Sequence, residues 1–374
     1  MKIAHIQLLP MLSGVQNVSL QEFLNLDSDT HKFKKTLICK ERGELSDEVL
    51  RLGGKVYFVP SLEREIHPFK DLVSLVKIYA ICKKEKFDIV HTHSAKTGVL
   101  GRIAARLAGV KKIIHTVHGF PFTDKNSHIK NRFYKYLERM ASYFCDVIIC
   151  LHDDDASICN KKLKVPLNKI RVISNGVDIE RFSPVNKVAR ESVLKSLGVN
   201  VSSVVFCMVG RLWEQKNPGL FVRAANIFIE KNPSLKTSFI LVGDGELREE
   251  LQYIAKSSHI KFLGWRKDIP EILGASDCFV LPSLWEGMPL AILEAQSSGL
   301  PCIVSNIQGN SSLVTDDYDG YLFDVGNEHH LVMLMEKVMD KCVRQQLSEN
   351  ARCKIVKTYD IKNRISKITE IYLS

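Results

Sequence analysis

No CxxC pair occurs in the 374-residue sequence, although it holds ten cysteines. Several of them (Cys150, Cys207, Cys278, Cys302) sit inside apolar runs, which fits buried free thiols in a reducing compartment better than disulfides. The longest apolar runs, such as VVFCMV (204–209), have six to ten residues, well short of the ~20 that cross a bilayer. The opening MKIAHIQLLPMLSGVQ has no small-residue cleavage site and reads as a first strand rather than a signal peptide, so a cytoplasmic chain is expected. There is no G-x-G-x-x-G, so the dinucleotide fingerprint is absent. Low-complexity tracts and short repeats are missing too. Nothing interleaves aromatic with basic residues, and no nucleic-acid partner is expected.

What is present describes a globular protein: 45% hydrophobic and 25% charged residues. The length suits two domains better than one core. Charge is uneven. Residues 1–180 carry 29 Lys+Arg against 20 Asp+Glu, a net of +9, whereas 181–374 carry 23 against 22, a net of +1. The excess clusters at Lys83-Lys84, Lys111-Lys112 and between Lys125 and Arg139. Such a half can meet anionic lipid or a phosphorylated substrate, or be a solvated face.

Short Val- and Ile-rich runs alternate with helical stretches. Seven precede residue 176, at 2–9, 34–40, 55–59, 88–93, 111–118, 146–152 and 170–175. Five follow, at 203–210, 237–243, 260–264, 277–283 and 301–306. Continuous apolar runs of this kind are parallel strands covered on both faces. The expected fold class is α/β, with two doubly wound, Rossmann-like domains facing across a cleft, divided within 181–200. Ligands then bind at the carboxyl ends of the strands.

Those strand ends carry the candidates. Gly14, after the first strand, allows backbone to approach a phosphate at a helix N-terminus, or simply makes a turn. His118 closes a strand just before a Gly- and Pro-bearing loop; for His115 and the HTH of 91–93 a structural role is expected. In VGRLWEQKN, Arg211 and Lys216 suit a diphosphate or are surface charges, with Asn217-Pro218 opening a helix. Gly243 and Gly245 permit close backbone approach, and Asp244 shapes their turn. The HDDDAS run (152–157) reads as helix caps and dipole partners rather than a metal site. In LWEGMPLAILEAQSSGLP, Pro289 is expected as the first helical residue, with Glu286 outside the helix mouth and Glu294 inside. A glycosidase pair must flank one bond. This spacing suits two grips on one long ligand, sugar at one end and ribose at the other, with phosphate at the mouth and no unusual pKa needed.

The motifs Glu286-GMPLAIL-Glu294, SNGVD (174–178), GRLWEQK (210–216), VGDGE (242–246) and FLG (262–264) together resemble glycosyltransferase family 4, of GT-B fold. HTHSAKTGVLGRIAARLAG and HTVHGFPF resemble its members that build bacterial capsule, O-antigen and exopolysaccharide. The resemblance implies an N-terminal acceptor domain (1–180), a C-terminal donor domain (185–354) and a closing helix (about 355–374) packed back on the first. It implies that Arg211 and Lys216 hold the donor diphosphate, Glu294 the ribose, and Glu286 the transferred sugar, with Gly287, Met288, Pro289 and Leu290 around them. His118 would lie beside that sugar, Gly14 would back the diphosphate, and Gly243, Gly264, Trp265 and Arg266 would complete the donor pocket. Lys96 and Thr97 would fall on the acceptor side. The implied reaction is metal-independent, retaining transfer from a nucleotide sugar, UDP favoured over GDP. The acceptor would be a glycan or a polyprenyl-diphosphate-linked sugar, met peripherally at an anionic inner membrane face. Ser13-Gly14 stands where the family commonly has two glycines, and LHDDD (151–155) where serine and one acid are usual. An epimerase of the same fold, or a non-catalytic nucleotide-sugar-binding subunit, would share most of these residues.

Overall fold

The computed structural model describes residues 1–9, 14–27, 32–122 and 127–374. They form two units: 1–175 with 362–374, and 176–361. The divisions thus fall at 175/176 and 361/362, and the last helix (Ile361–Leu373) counts almost wholly with the first unit.

In the first unit β1 (Lys2–Ile6), β2 (Lys34–Cys39), β3 (Lys55–Phe58), β4 (Ile89–His93), β5 (Lys112–Thr116), β6 (Val147–Cys150) and β7 (Ile170–Val172) make one sheet in the order β3-β2-β1-β4-β5-β6-β7. In the second, β8 (Val204–Val209), β9 (Thr237–Val242), β10 (Ile260–Phe262), β11 (Cys278–Leu281), β12 (Cys302–Ser305) and β13 (Gly320–Phe323) follow the order β10-β9-β8-β11-β12-β13. Every pairing is parallel. Strand order reverses between β1 and β4, and again between β8 and β11. Those switch points open a crevice at the carboxyl ends of the strands. The loops read as candidates from the sequence lie there.

The side-chain period of two sorts each strand of the first sheet between two cores. Ala4, Ile6, Val90, Ile113 and Ile148 enter one. Their neighbours Ile3, Ile89, Ile114 and Ile149 enter the other, with Ile368, Ile371 and Tyr372 of the last helix. The second face also receives a row of polar rings, because His5, His91 and His93 share its parity.

The helix Ala95–Leu107 lies unusually close to the sheet. A Cβ on Gly98 would stand 2.5 Å from Cε1 of His115, so only glycine fits. The turn into this helix places Ser94 at φ 67°, ψ 158°, a region that costs about 1–3 kcal/mol for a residue with a side chain. Buried Arg102 crosses from it to Glu138 on the helix His128–Ser142, at 2.8 Å. Among the described residues no helix is long and apolar enough to cross a membrane.

Candidate active site

In the second unit the two strands at the switch point end in loops that are hydrogen-bonded together. Lys216, after β8, donates to Glu286 Oε1 at 2.5 Å. Ser283, after β11, donates to the same oxygen at 2.7 Å. The Gln215 amide reaches Glu286 Oε2 at 3.4 Å and the Trp285 carbonyl at 2.9 Å, while Leu284 N–H donates to the Gln215 carbonyl at 2.8 Å. Ser305, at the end of β12, fastens the Ser283 carbonyl at 2.5 Å. Glu286 is therefore held by three side chains from two loops.

The Lys216 charge is balanced by Glu286, whereas Arg211 has no such partner among the described residues. Its guanidinium lies over the Trp213 ring, 4.5 Å from the centroid, and makes no hydrogen bond or ion pair with the described residues. Stacking leaves the guanidinium donors free for a planar, bidentate partner such as a phosphate.

The helix mouth sits beside this pair. Pro289 is the cap (φ −70°, ψ 121°) and Leu290 the first helical residue of Leu290–Ser297, one position later than the sequence suggests. Proline has no N–H, and the first free donors of the helix are those of the residues after it. Glu294 lies four residues beyond Leu290, about 6 Å along the axis. Glu294 is half-buried, and none of the described residues hydrogen-bonds its carboxylate. Burial raises its pKa to about 7, against the pull of Arg181. The pocket around Glu294 desolvates the carboxylate, which disfavours its charged form.

Gly243 and Gly245 do permit close approach, but to the protein itself. A Cβ on Gly243, at φ 127°, would stand 2.0 Å from the Gly210 carbonyl oxygen, and one on Gly245 would stand 2.3 Å from that of Leu212. These glycines pack the β9 loop under the Arg211 loop. Asp244 accepts from Gly245 N–H at 2.8 Å and Arg248 at 2.6 Å, shaping the turn as expected. The Gly264 carbonyl accepts from Gly243 N–H at 2.8 Å. Trp265 is exposed, and Arg266 closes on Asp268 at 2.6–2.8 Å. Asn217-Pro218 opens the helix Pro218–Lys231 as read, with Asn217 at the cap position in a left-handed conformation and making no side-chain cap bond.

In the first unit His118 follows β5, half-buried, with Nε2 3.1 Å from His93 Nδ1. Burial pushes its pKa down to about 3, Arg364 adding to the effect. Gly14 opens the helix Gly14–Asn25 and is exposed; Ser13 lies outside the described residues. Lys96 and Thr97 do not present free groups. Lys96 pairs with Asp71 at 2.6 Å and bonds the Glu65 carbonyl. Thr97 is fully buried and donates to the His93 carbonyl one turn back, because its helix phase points it at the sheet. Asp153, Asp154 and Asp155 lie in the first turn of a short helix, as dipole partners do, but the cap is His152 rather than an aspartate.

Sequence reasoning missed Ser283, Gln215 and Ser305, and it missed Gln7. Gln7, just past β1, is fully buried with neither amide atom bonded. Position after a strand at a switch point was the signal available for Gln7 and Ser283.

Residues 24–181 match the pattern described as Glycosyltransferase Family 4, and residues 189–354 that of Glycosyl transferases group 1. A UDP-Gal:alpha-D-GlcNAc-diphosphoundecaprenol alpha-1,3-galactosyltransferase of Escherichia coli is 51% identical over 378 residues, covering 100% of this chain and 96% of its own. The chain belongs to glycosyltransferase family 4. This glycosyltransferase is also 25% identical, over 85% of each chain, to an N,N'-diacetylbacillosaminyl-diphospho-undecaprenol alpha-1,3-N-acetylgalactosaminyltransferase of Campylobacter jejuni. Its fold is that of Alr3699/HepE from Anabaena, crystallised with UDP and glucose, at TM-score 0.83 and 18% identity over 99% and 98% of the two chains. The GT-B expectation is met by that likeness and by the two parallel sheets.

Proposed function

We propose that this enzyme moves a hexose, with galactose the first candidate, from a UDP-sugar to a polyprenyl-diphosphate-linked acceptor during surface-polysaccharide synthesis. Transfer proceeds with retention and needs no metal. The observation that carries the reading is the set of strand-end groups in the second unit: Arg211 stacked on Trp213, the Lys216–Glu286 pair, and Glu294 one turn inside the helix Leu290–Ser297. The E. coli relative supports the choice of donor and acceptor.

In this reading Arg211 and the free amides of Leu290–Ser297 receive the diphosphate. Glu294 accepts from the ribose hydroxyls, and Glu286, aimed by Lys216, Ser283 and Gln215, accepts from a hydroxyl of the transferred sugar. As the anomeric C1–O bond to the diphosphate breaks, charge develops on the leaving phosphate, where a guanidinium and helix amides stabilise it. The acceptor hydroxyl forms the new bond on the same face and passes its proton to the departing phosphate oxygen. Trp265 and Arg266, by the Gly264 loop, lie where the base would be met.

A peripheral place at an anionic membrane suits two exposed helix faces of the first unit. Phe69, Leu72 and Val76 form a stripe on the helix Pro68–Glu85, which also carries Lys70, Lys77, Lys83 and Lys84. Ile129, Phe133, Tyr136 and Met140 form another on His128–Ser142, among Lys130, Arg132, Lys135 and Arg139. Apolar stripes edged by cations favour the lipid interface.

The test is a panel of UDP-, GDP- and dTDP-hexoses with a polyprenyl-diphosphate-linked N-acetylhexosamine in vesicles, followed by anomeric analysis of the product. We expect an α-linked product from a UDP-hexose, unchanged by EDTA and reduced when anionic vesicles are replaced by neutral ones. Dependence on added Mn²⁺ or Mg²⁺, inversion at the anomeric carbon, or UDP release without acceptor would each contradict part of it.

A further inference from the structure

The polar row beneath the first sheet is a continuous hydrogen-bonded chain. His118 Nε2 lies 3.1 Å from His93 Nδ1, and His93 Nε2 lies 3.2 Å from His5 Nδ1. His5 Nδ1 is also 2.7 Å from the Ser19 hydroxyl, and His5 Nε2 is 3.0 Å from the Tyr372 hydroxyl. That hydroxyl meets His91 Nδ1 at 2.6 Å, and His91 Nε2 meets Thr116 at 2.7 Å. At the centre Glu22 Oε1 takes two bonds from Arg364, at 2.7 and 3.2 Å. Its Oε2 has no hydrogen bond and stands 3.8 Å from His5 Nδ1 and 3.7 Å from His91 Nδ1.

Burial keeps these histidines neutral, with Arg364 adding to the effect at His5, His91, His93 and His118. Each ring then has one N–H and one lone pair. Tyr372 has a single hydroxyl proton between two ring nitrogens, so only two orders of the chain are possible. In one, Tyr372 donates to His91, both Nδ1 atoms present lone pairs to Glu22 Oε2, and His118 carries its proton on Nε2. In the other, Tyr372 donates to His5, both Nδ1 atoms present N–H groups to that carboxylate, and His93 Nδ1–H donates to His118 Nε2. Burial raises the Glu22 pKa, and the Arg364 guanidinium, which cannot lose its proton, opposes that rise through its charge and its two hydrogen bonds and holds Glu22 as its counter-ion. A carboxylate oxygen facing two lone pairs is repelled, whereas facing two N–H groups it is attracted. The second order also asks His5 Nδ1–H only to be shared between Ser19 and His93, while the first asks one lone pair to take two donors.

We propose that Glu22, acting through His5, His93 and Tyr372, fixes His118 as the tautomer protonated on Nδ1. The free nitrogen of His118 is then an N–H donor to the substrate and never a base. This rests on the reading of His118 as a substrate-contacting residue, and it makes Glu22 a positioning residue three rings away. It also agrees with the leaving phosphate, rather than a histidine, taking the acceptor's proton. His5, Glu22, His91 and His93 bring ligand atoms within 4.8 Å of one another, as a cation would require. However, the guanidinium on Glu22 and the hydroxyl and ring partners of the histidines already fill that space.

The experiment is long-range ¹H–¹⁵N correlation of the full-length protein labelled in its histidines, with His118 assigned by its loss in His118→Gln. We expect a protonated, pyrrole-type Nδ1 and a pyridine-type Nε2 at His118. Tyr372→Phe and His93→Gln each break the chain and should let the opposite tautomer appear at His118. Glu22→Gln should do the same, and Tyr372→Phe keeps the test open if Glu22→Gln does not fold. A proton on Nε2 in the unaltered protein, no change in Tyr372→Phe and His93→Gln, or one equivalent of tightly held divalent metal would overturn the proposal. The readout needs no substrate, so a wrong donor or acceptor would show in the transfer assay alone.

Discussion

Glu286→Ala is expected to lower turnover by at least about 100-fold, the usual cost of removing a preorganised electrostatic contact from a transferase site. Glu286 is held by Lys216 at 2.5 Å and Ser283 at 2.7 Å, so its carboxylate is aimed before any substrate arrives. Truncation removes the acceptor for the sugar hydroxyl and leaves the Lys216 ammonium without its partner. The loop should survive, because the bonds from Leu284 to Gln215 and from Ser305 to Ser283 do not involve the glutamate. The thermal midpoint is therefore expected to stay close to that of the unaltered enzyme. Initial rates with saturating donor and acceptor check this, and a rate within about threefold of the original would remove Glu286 from the mechanism. Glu286→Gln separates charge from shape: it keeps the contact with the sugar but no longer neutralises Lys216.

Arg364→Ala is expected to cost about 3–5 kcal/mol of stability, the range for breaking a buried ion pair from one side. The Arg364 side chain is 1% exposed and Glu22 fully buried. Besides Glu22, Arg364 donates to the carbonyls of Ile173 and Ser174, each at 3.0 Å. Its loss strands a charged carboxylate and two carbonyl oxygens, and unties the last helix from the sheet it covers. Urea unfolding curves should show a large fall in midpoint. Combining it with Glu22→Leu should recover part of that loss, because no unpaired charge then remains. A single-variant loss below about 1 kcal/mol would mean that the pair does not hold the helix in place.

Much of the architecture was legible because parallel strands covered on both faces leave continuous Val- and Ile-rich runs. Twelve strands were visible that way. The thirteenth, Gly320–Phe323, is four residues long and follows the turn-rich DDYDG, so local pattern hides it. The strand-end loops were legible for the same reason as the strands: Arg211, His118 and Glu286 each follow a recognisable run. Pairings between loops were not. Lys216 and Glu286 are 70 residues apart, and Arg364 and Glu22 are 342 apart. Charge type alone gives no register between such positions. The alternation in HTH at 91–93 showed which face those rings share. It could not show that β1 would set His5 beside His91, which depends on strand order. The close approach of the helix Ala95–Leu107 to the sheet turns Thr97 inward, which sequence position alone does not show.

The central claim is that one helix mouth measures a UDP-sugar, ribose at Glu294 and sugar at Glu286. UDP binding to the two variants, followed by calorimetry between pH 6 and 8, tests it most directly. Burial raises the Glu294 pKa to about 7, against the pull of Arg181. Ribose hydroxyls would favour its ionised form and lower that pKa in the complex. UDP affinity of the unaltered enzyme should then fall as pH drops below 7, by up to about tenfold per unit. Glu294→Gln should bind UDP about 10–100-fold more weakly at pH 8, the loss of a charge-assisted contact, and should show no such pH dependence. Glu286→Ala should bind UDP within about threefold of the original or more tightly, since Lys216 is released. Equal weakening in both variants, or unchanged UDP affinity in Glu294→Gln, would contradict the account.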